Sequence, residues 1–539
     1  MELSPAKRAL LEKWLQGQAN NDTTSIPRRP LHSPVPLSFP QQRQLFLEML
    51  ERGTAVNNLS VFLEIRGKLD ISALEQSANQ IMARHDALRT RFSFRQGIPA
   101  AEVLDDLTIP LSIVDLQGTA ATEQVIEARQ MAEKEVLRPF DLTQAPLIRL
   151  QLYVLSNEQH LLLLVVHHTI ADGWSLGVFL RELLTFYQAV TGGRPPQAPE
   201  LSIQYADFAH WQTDQIRGRA LQPSMAYWEK QLAGELPALE LPIDQQRGAK
   251  QSFSGGTYRF ALSAELTETL EHLSRQEDVT SFMTLLTAFY VLLHRYSGQD
   301  DILVGTPVAH RNLPELGHLI GVFINTLVLR TDLSGDPGFR ALLKRVRDVS
   351  LEAYAHQDVP FEQLVEALRP KRDLSRTPLF QVVFNLQNSP MPNLEIPGLE
   401  MRFLDIDRGV SQFELTLMIS KSEGQYHCVV EYNNDLFTPA TVARMFQSFQ
   451  MLLEHAVAQP DCPISRLPIV AKAELHRLVY EMNRTPLGYP REKCVHQLFE
   501  AQVERTPDAV AVIHNDTSIT YLDLNQRANV LTRHLQTLG

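Results

Sequence analysis

Two adjacent histidines, His167 and His168, are followed after three residues by Asp172 and Gly173. These side chains and their spacing suit acyl transfer. An imidazole whose pKa lies near neutrality can take a proton from an amine or hydroxyl as it attacks a carbonyl. A nearby carboxylate, in salt bridge with an arginine, can lock the loop that carries the imidazole. A glycine lets the backbone turn tightly and a substrate come close. The chain has no Gly-x-Ser-x-Gly elbow, so direct attack by the acceptor, without an acyl-enzyme, is the simpler scheme. Two other readings stand beside this one. The pair could be structural, or it could ligate a metal, although the His-Glu-x-x-His spacing is absent and no cysteine lies near.

Such side chains need rigid support. Leu161 to Val166 form an unbroken apolar run ending at His167, which reads as a buried strand, central in its sheet. Alternation along a strand turns neighbours to opposite faces, so at most one of the two histidines should face any given cleft. Beyond Ser175 the apolar residues Leu176, Phe179, Leu180, Leu183, Leu184 and Tyr187 recur at helical spacing, and Ser175 is the expected N-cap.

The chain has 539 residues, 44% hydrophobic and 21% charged, enough for several domains with substantial cores. A net charge of -12 without a basic cluster argues against a nucleic-acid partner. Cys428, Cys462 and Cys494 are too scattered for a disulfide framework or a zinc site. With no signal-peptide pattern and no membrane-length apolar run, a cytoplasmic, membrane-free protein is expected. A short amphipathic helix at Leu10–Leu15 precedes a polar, Pro-rich stretch to Pro36, expected to be mobile. Strands are expected at Val61–Arg66, Leu147–Leu155, Thr257–Leu262, Ile302–Pro307 and Phe323–Arg330. Helices are expected at Asp70–Arg84, Thr122–Val136, Ser224–Leu232 and Ser281–Tyr296. The alternation indicates mixed α and β lobes, with a Gly/Pro-rich boundary near Thr191–Pro199.

Ordered motifs carry a resemblance. They are Ser38-Phe39-Pro40-Gln41-Gln42-Arg43, Arg84-His85-Asp86-Ala87-Leu88-Arg89-Thr90, the block His167 to Ser175, and Tyr205-Ala206-Asp207-Phe208 with Trp211. Further on come Ile320-Gly321-Val322-Phe323 with Asn325 and Thr326, His356-Gln357-Asp358-Val359-Pro360-Phe361, and Arg372-Asp373 with Ser375 and Pro378. In this order they resemble the condensation domains of nonribosomal peptide synthetases, within the chloramphenicol-acetyltransferase-like acyltransferases, over roughly residues 30 to 465. Pro40 and Asp86 depart from the commoner alanine and glutamate.

The resemblance implies a mixed α+β and α/β fold of two chloramphenicol-acetyltransferase-like lobes, set as a V around a central tunnel. It implies amide-bond formation between a carrier-bound acyl or peptidyl thioester and a carrier-bound aminoacyl α-amine. By this likeness His168 is the catalytic histidine, as general base or as a positioning group for the amine. His167, Asp172 and Gly173 supply geometry, and Arg311 is the arginine that pairs with Asp172. His310 stands where glycine is usual. No metal and no cofactor bound by the chain itself are implied, only 4'-phosphopantetheine on the partners. Those partners are donor and acceptor carrier proteins, a downstream adenylation domain and an upstream synthase acting in trans. The alternatives are a catalytically idle docking platform for carriers and an acyl-CoA-dependent starter N-acyltransferase.

The expected domains are an N-terminal helix and flexible lead-in at 1–36, an N-terminal lobe at 37–190 and a C-terminal lobe at 191–465. A linker at 466–492 then leads to a truncated start of an adenylation domain at 493–539. This last piece resembles such an opening through Val495 to Gln502, Thr506-Pro507-Asp508 and Thr520-Tyr521.

Overall fold

The strand Gln159–His167 organises the first half of the molecule. A computed structural model describes residues 25–30, 34–50, 53–95, 98–217, 221–371, 373–387, 394–484, 492–515 and 517–539. Leu162, Leu164 and Val166 point into a core with the helices Ile71–Arg84 and Gly173–Thr191. Leu161, Leu163 and Val165 point to the other face, against Ala128, Ala132 and Val136 of the helix Ala121–Val136. A strand covered on both faces has no reason to alternate with polar residues, which explains the unbroken apolar run.

The first sheet has six strands, in the order Glu395–Ile396, Leu399–Leu404, Asn58–Gly67, Gln159–His167, Ile148–Ser156, Leu111–Asp115. Its last pair is parallel and the others are antiparallel. Two of its strands come from residues 395–404, in the second half of the chain. They cross back and pair Phe62 with Leu404 and Gly67 with Leu399. A division between lobes at 190/191 does not contain this crossing.

The second sheet also has six strands, in the order Gly255–Ala261, Gln425–Asn433, Leu415–Ser422, Val382–Gln387, Asp301–Val308, Asn325–Asp332. Against it packs the helix Ser281–Ser297, buried from Phe282 to Leu293 and closed by Gly298 at φ 72, the left-handed position that favours glycine. Thr280 caps its start by accepting from the Met283 amide.

Part of the lead-in is anchored rather than mobile. Ile26 is buried beside Tyr205, Phe208 and Phe323, its amide donates to Glu315 Oε1 at 2.8 Å, and the Arg29 amide donates to Asp207 Oδ1 at 3.0 Å. The helix expected at Leu10–Leu15 and the motif residue Arg372 lie outside the described residues.

The chain divides into two compact units, Met1–Val470 and Ala471–Gly539. The second holds the helix Val495–Arg505, a hairpin of Val510–His514 with Thr517–Thr520, and the helix Tyr521–Leu538. Part of the stretch read as linker is helical, at Lys472–His476 and through Arg477–Glu481. No helix among the described residues is long and apolar enough to cross a membrane.

Candidate active site

The strand stops at His167, and the two histidines part company there. His167 is buried. Its Nδ1 lies 2.8 Å from Thr169 Oγ1 and 3.2 Å from the Thr169 amide, both able to donate, so the ring proton sits on Nε2. Phe140 meets the ring edge-on, centroids 5.9 Å apart. Burial, with His168 and Arg149 nearby, pushes the His167 pKa down to about 3. This histidine is a neutral part of the core.

His168 is partly exposed. Its amide donates to the Asn57 carbonyl at 2.8 Å, and its Nδ1 donates to the Ala171 carbonyl at 2.8 Å. That leaves Nε2 as a lone-pair acceptor with no protein partner among the described residues. Burial lowers the His168 pKa and Arg408 adds to this, while Asp172 and the Ala171 carbonyl act the other way. The net shift favours the neutral imidazole, the form that can accept a proton.

Asp172, not Ser175, caps the helix. The helix begins at Gly173, and Asp172 Oδ1 accepts from the Ser175 amide and the Ser175 hydroxyl, each at 2.8 Å. Its Oδ2 accepts from the Phe323 amide at 3.0 Å. Arg311 Nη2 completes the set, donating to Asp172 Oδ1 at 3.1 Å and to Ser175 Oγ at 2.8 Å. Burial alone would raise the Asp172 carboxyl. Arg311 and the donors of Phe323 and Ser175 outweigh it and hold the carboxyl below its usual range.

Arg311 follows the strand Asp301–Val308 and reaches this carboxylate across the boundary between the two halves. Its Nη1 donates to the Leu316 and Leu319 carbonyls, the second at 2.7 Å, and its guanidinium lies 4.1 Å from the Phe323 ring centroid. His310 precedes it at φ 48, a left-handed conformation, and its Nε2 lies 3.1 Å from Asp358 Oδ1. This is the place where the sequence carries histidine in place of glycine.

The structure thus brings His168, Asp172 and Arg311 into one loop network, with His167 on the opposite side of the backbone. A family model for the condensation domain matches residues 32–479. The chain belongs to the condensation-domain family. One component of the linear gramicidin synthase of Brevibacillus parabrevis is 43% identical over 508 residues, covering 94% of this chain but 10% of its own length. The X-domain from teicoplanin biosynthesis superposes with a TM-score of 0.75 at 28% identity, covering 83% of this chain and 100% of that one. A four-domain nonribosomal peptide synthetase bound to AMP and glycine gives a TM-score of 0.77 over 96% of this chain and 40% of that one. At 24% identity it speaks for the fold alone.

In this condensation domain the supporting residues come from motifs whose roles the sequence did not reveal. The Gly321 carbonyl lies 2.7 Å from Ser175 Oγ, where it competes with Asp172 Oδ1 for the single hydroxyl proton, and the Gly321 amide donates to Ser175 Oγ at 3.1 Å. The Tyr205 ring lies directly where a Cβ at Gly321 would be, so no other residue fits there. Tyr205 Oη donates to the Val322 carbonyl at 2.8 Å and meets Ser38 Oγ at 2.6 Å. The motif order along the chain was the only signal for these contacts.

Gly173 differs. A Cβ there would meet no protein atom within 4 Å. Its glycine is not required by the packing of this chain, which accords with a surface left open beside His168. No cluster of metal-ligating side chains occurs among the described residues.

Proposed function

We propose that this chain catalyses amide-bond formation between a thioester-bound acyl or peptidyl donor and the α-amine of a thioester-bound aminoacyl acceptor. Both thioesters would be carried on 4'-phosphopantetheine arms of partner carrier proteins. The observation that carries this reading is the state of His168, whose Nδ1 donates to the Ala171 carbonyl while Nε2 keeps its lone pair. His168 is the proposed catalytic residue; Asp172 and Arg311 hold its loop, His167 packs beneath it, and Gly173 leaves room for substrate.

The chemistry follows from those roles. The acceptor amine attacks the thioester carbon, the C–N bond forms and the carbonyl electron pair moves to oxygen. His168 Nε2 takes the proton released by the attacking nitrogen. The carbonyl then re-forms, the C–S bond breaks, and the departing thiolate takes a proton back from the imidazolium. Thioester aminolysis is downhill, so proximity supplies most of the barrier reduction, about 7–11 kcal/mol for well-oriented reactants. A positioned base adds a factor of about 10²–10⁴.

The unit Ala471–Gly539 is proposed as the opening of an adenylation domain, supported by its likeness at Thr506-Pro507-Asp508 and Thr520-Tyr521. The similarity to the X-domain, of which a complex with OxyB also matches at TM-score 0.74, favours a second reading as a docking platform. One experiment separates the two. A loaded acceptor carrier is mixed with donor thioesters and its mass is followed; a gain that depends on His168 supports catalysis, and no gain from folded protein supports docking.

A further inference from the structure

The loop that carries His168 is gripped at two points. At its far end Asp172 is held by Arg311, Ser175 and the Phe323 amide. At its near end the Thr169 carbonyl accepts from Nε2 of Gln41 at 3.1 Å. Gln41 belongs to the first motif, Ser38 to Arg43, to which the functional reading gives no role.

Its side chain is 3% exposed and both ends of its amide are used. Oε1 accepts from the Ser38 amide at 3.2 Å, and the Gln41 amide donates to Ser38 Oγ at 3.3 Å. Ser38 Oγ meets Tyr205 Oη at 2.6 Å, and Tyr205 donates to Val322, whose neighbour Phe323 donates to Asp172. The two grips are therefore one buried chain of hydrogen bonds closed around residues 169 to 172. The amide orientation is fixed by its partners, because one is a backbone donor and the other a backbone acceptor. Thr169 also donates to His167 Nδ1, so its carbonyl lies in a segment fixed on both sides.

We propose that Gln41 is a positioning residue for amide-bond formation, holding the His168 loop through the Thr169 carbonyl. This rests on the catalytic reading of His168. A buried amide that only filled space would be replaceable by an apolar side chain of similar length. One that sets the imidazole against the attacking nitrogen would not, since misplacement near 1 Å can cost about 10²-fold in rate.

Gln41→Glu and Gln41→Met test this in the full chain, with donor and acceptor loaded on carrier proteins. In Gln41→Glu an ionised carboxylate still accepts from Ser38 but turns a second oxygen toward the Thr169 carbonyl. Once protonated, that carboxyl donates and restores the bond. The titratable groups around it are Asp86, which lines the same small cavity, Tyr205 through Ser38, and His167 through Thr169. Burial favours the protonated form, while the Asp86 charge is balanced by its ion pair with Arg89 at 2.7 Å.

The expected result is a kcat for Gln41→Met reduced about 10- to 100-fold with little change in KM. The rate of Gln41→Glu relative to wild type should climb as pH is lowered from about 8.5 to about 6, a range accessible to a buried carboxyl. Taking the ratio removes the part of the His168 titration that the two proteins share. An unchanged kcat in Gln41→Met, or a pH-independent Gln41→Glu ratio, overturns the proposal. If Gln41→Met does not fold, Gln41→Asn, polar but too short to reach Thr169, gives the same reading. A wild type that makes no amide, or a His168→Ala variant that makes as much, places the failure in the reading of His168 instead.

Discussion

Arg311 Nη2 stands 3.1 Å from Asp172 Oδ1, and the two side chains are 2% and 3% exposed. Removing two charges from water is costly, and such a pair is tolerated only where further hydrogen bonds complete both groups. Asp172 has three such donors, from Phe323 and from the Ser175 amide and hydroxyl. Arg311 reaches Leu316, Leu319 and Ser175, and its Nε alone lacks an acceptor among the described residues. Asp172→Ala would leave the guanidinium buried and uncompensated. The expected cost is about 3–5 kcal/mol, seen as a lower urea midpoint or loss of soluble protein. A midpoint equal to wild type would contradict a structural role for the pair.

His310 tests the same network from the backbone. At φ 48 a side chain with a Cβ is strained by about 1–2 kcal/mol, and the contact to Asp358 offsets part of that. His310→Gly should therefore change stability by no more than about 1 kcal/mol, with amide formation retained. His310→Val, β-branched and without the Asp358 partner, should be clearly less stable. Thermal melts of the two variants side by side decide it.

The neutral state of His167 has a consequence for acid stability. Its pKa is about 3 in the folded protein, against an ordinary histidine value near 6.5 in the unfolded chain. Below pH about 6.5 the unfolded chain binds a proton that the folded protein refuses, so this group's stabilisation is lost as pH falls toward 3. The slope from this one group is at most about 1.4 kcal/mol per pH unit. His167→Gln should flatten the acid limb of stability against pH by that amount. An unaltered slope would mean that His167 is already charged in the fold.

As the proposed base, His168 should set the pH dependence of the rate. Burial first, then Arg408, lower its pKa, so the base form should persist below the ordinary histidine range. The rate should be flat through neutral pH and fall only on the acid side. Arg408 pairs with Glu431, so Arg408→Gln removes a cation and frees a carboxylate. Loss of the cation raises the His168 pKa, and the acid limb should move to higher pH. A limb that stays in place would remove Arg408 from the electrostatics of the site.

The strand Gln159–His167 was legible in the sequence because Leu161 to Val166 are apolar on both faces, a pattern that survives without tertiary knowledge. His168 and Asp172 stood out by residue type and spacing, but the choice of His168 over His167 and the pairing of Asp172 with Arg311 came only from motifs in order that implied a family; nothing in the spacing ties residue 172 to residue 311. Local rules failed where two answers were equally good. Asp172 and Ser175 are both strong cap types, and the choice fell to the point where the strand ends. They failed again where the partner is distant. Leu399–Leu404 looks like any half-buried strand, yet it pairs with Asn58–Gly67 in the opposite sheet. Ile26, an isolated apolar residue in a polar, Pro-rich stretch, gave no sign that it would be buried beside Tyr205 and Phe323.

The central claim is that His168 makes this chain an amide-forming catalyst. The most direct test is mass spectrometry of a loaded acceptor carrier after mixing with L-peptidyl, D-peptidyl and fatty-acyl carrier thioesters and an acyl-CoA, each run beside His168→Ala. The account predicts a mass increase on the acceptor with at least one donor, reduced about 10²–10⁴-fold in rate in the variant, which remains folded. An equal rate in folded His168→Ala, or no product from folded wild type with any donor, would contradict it.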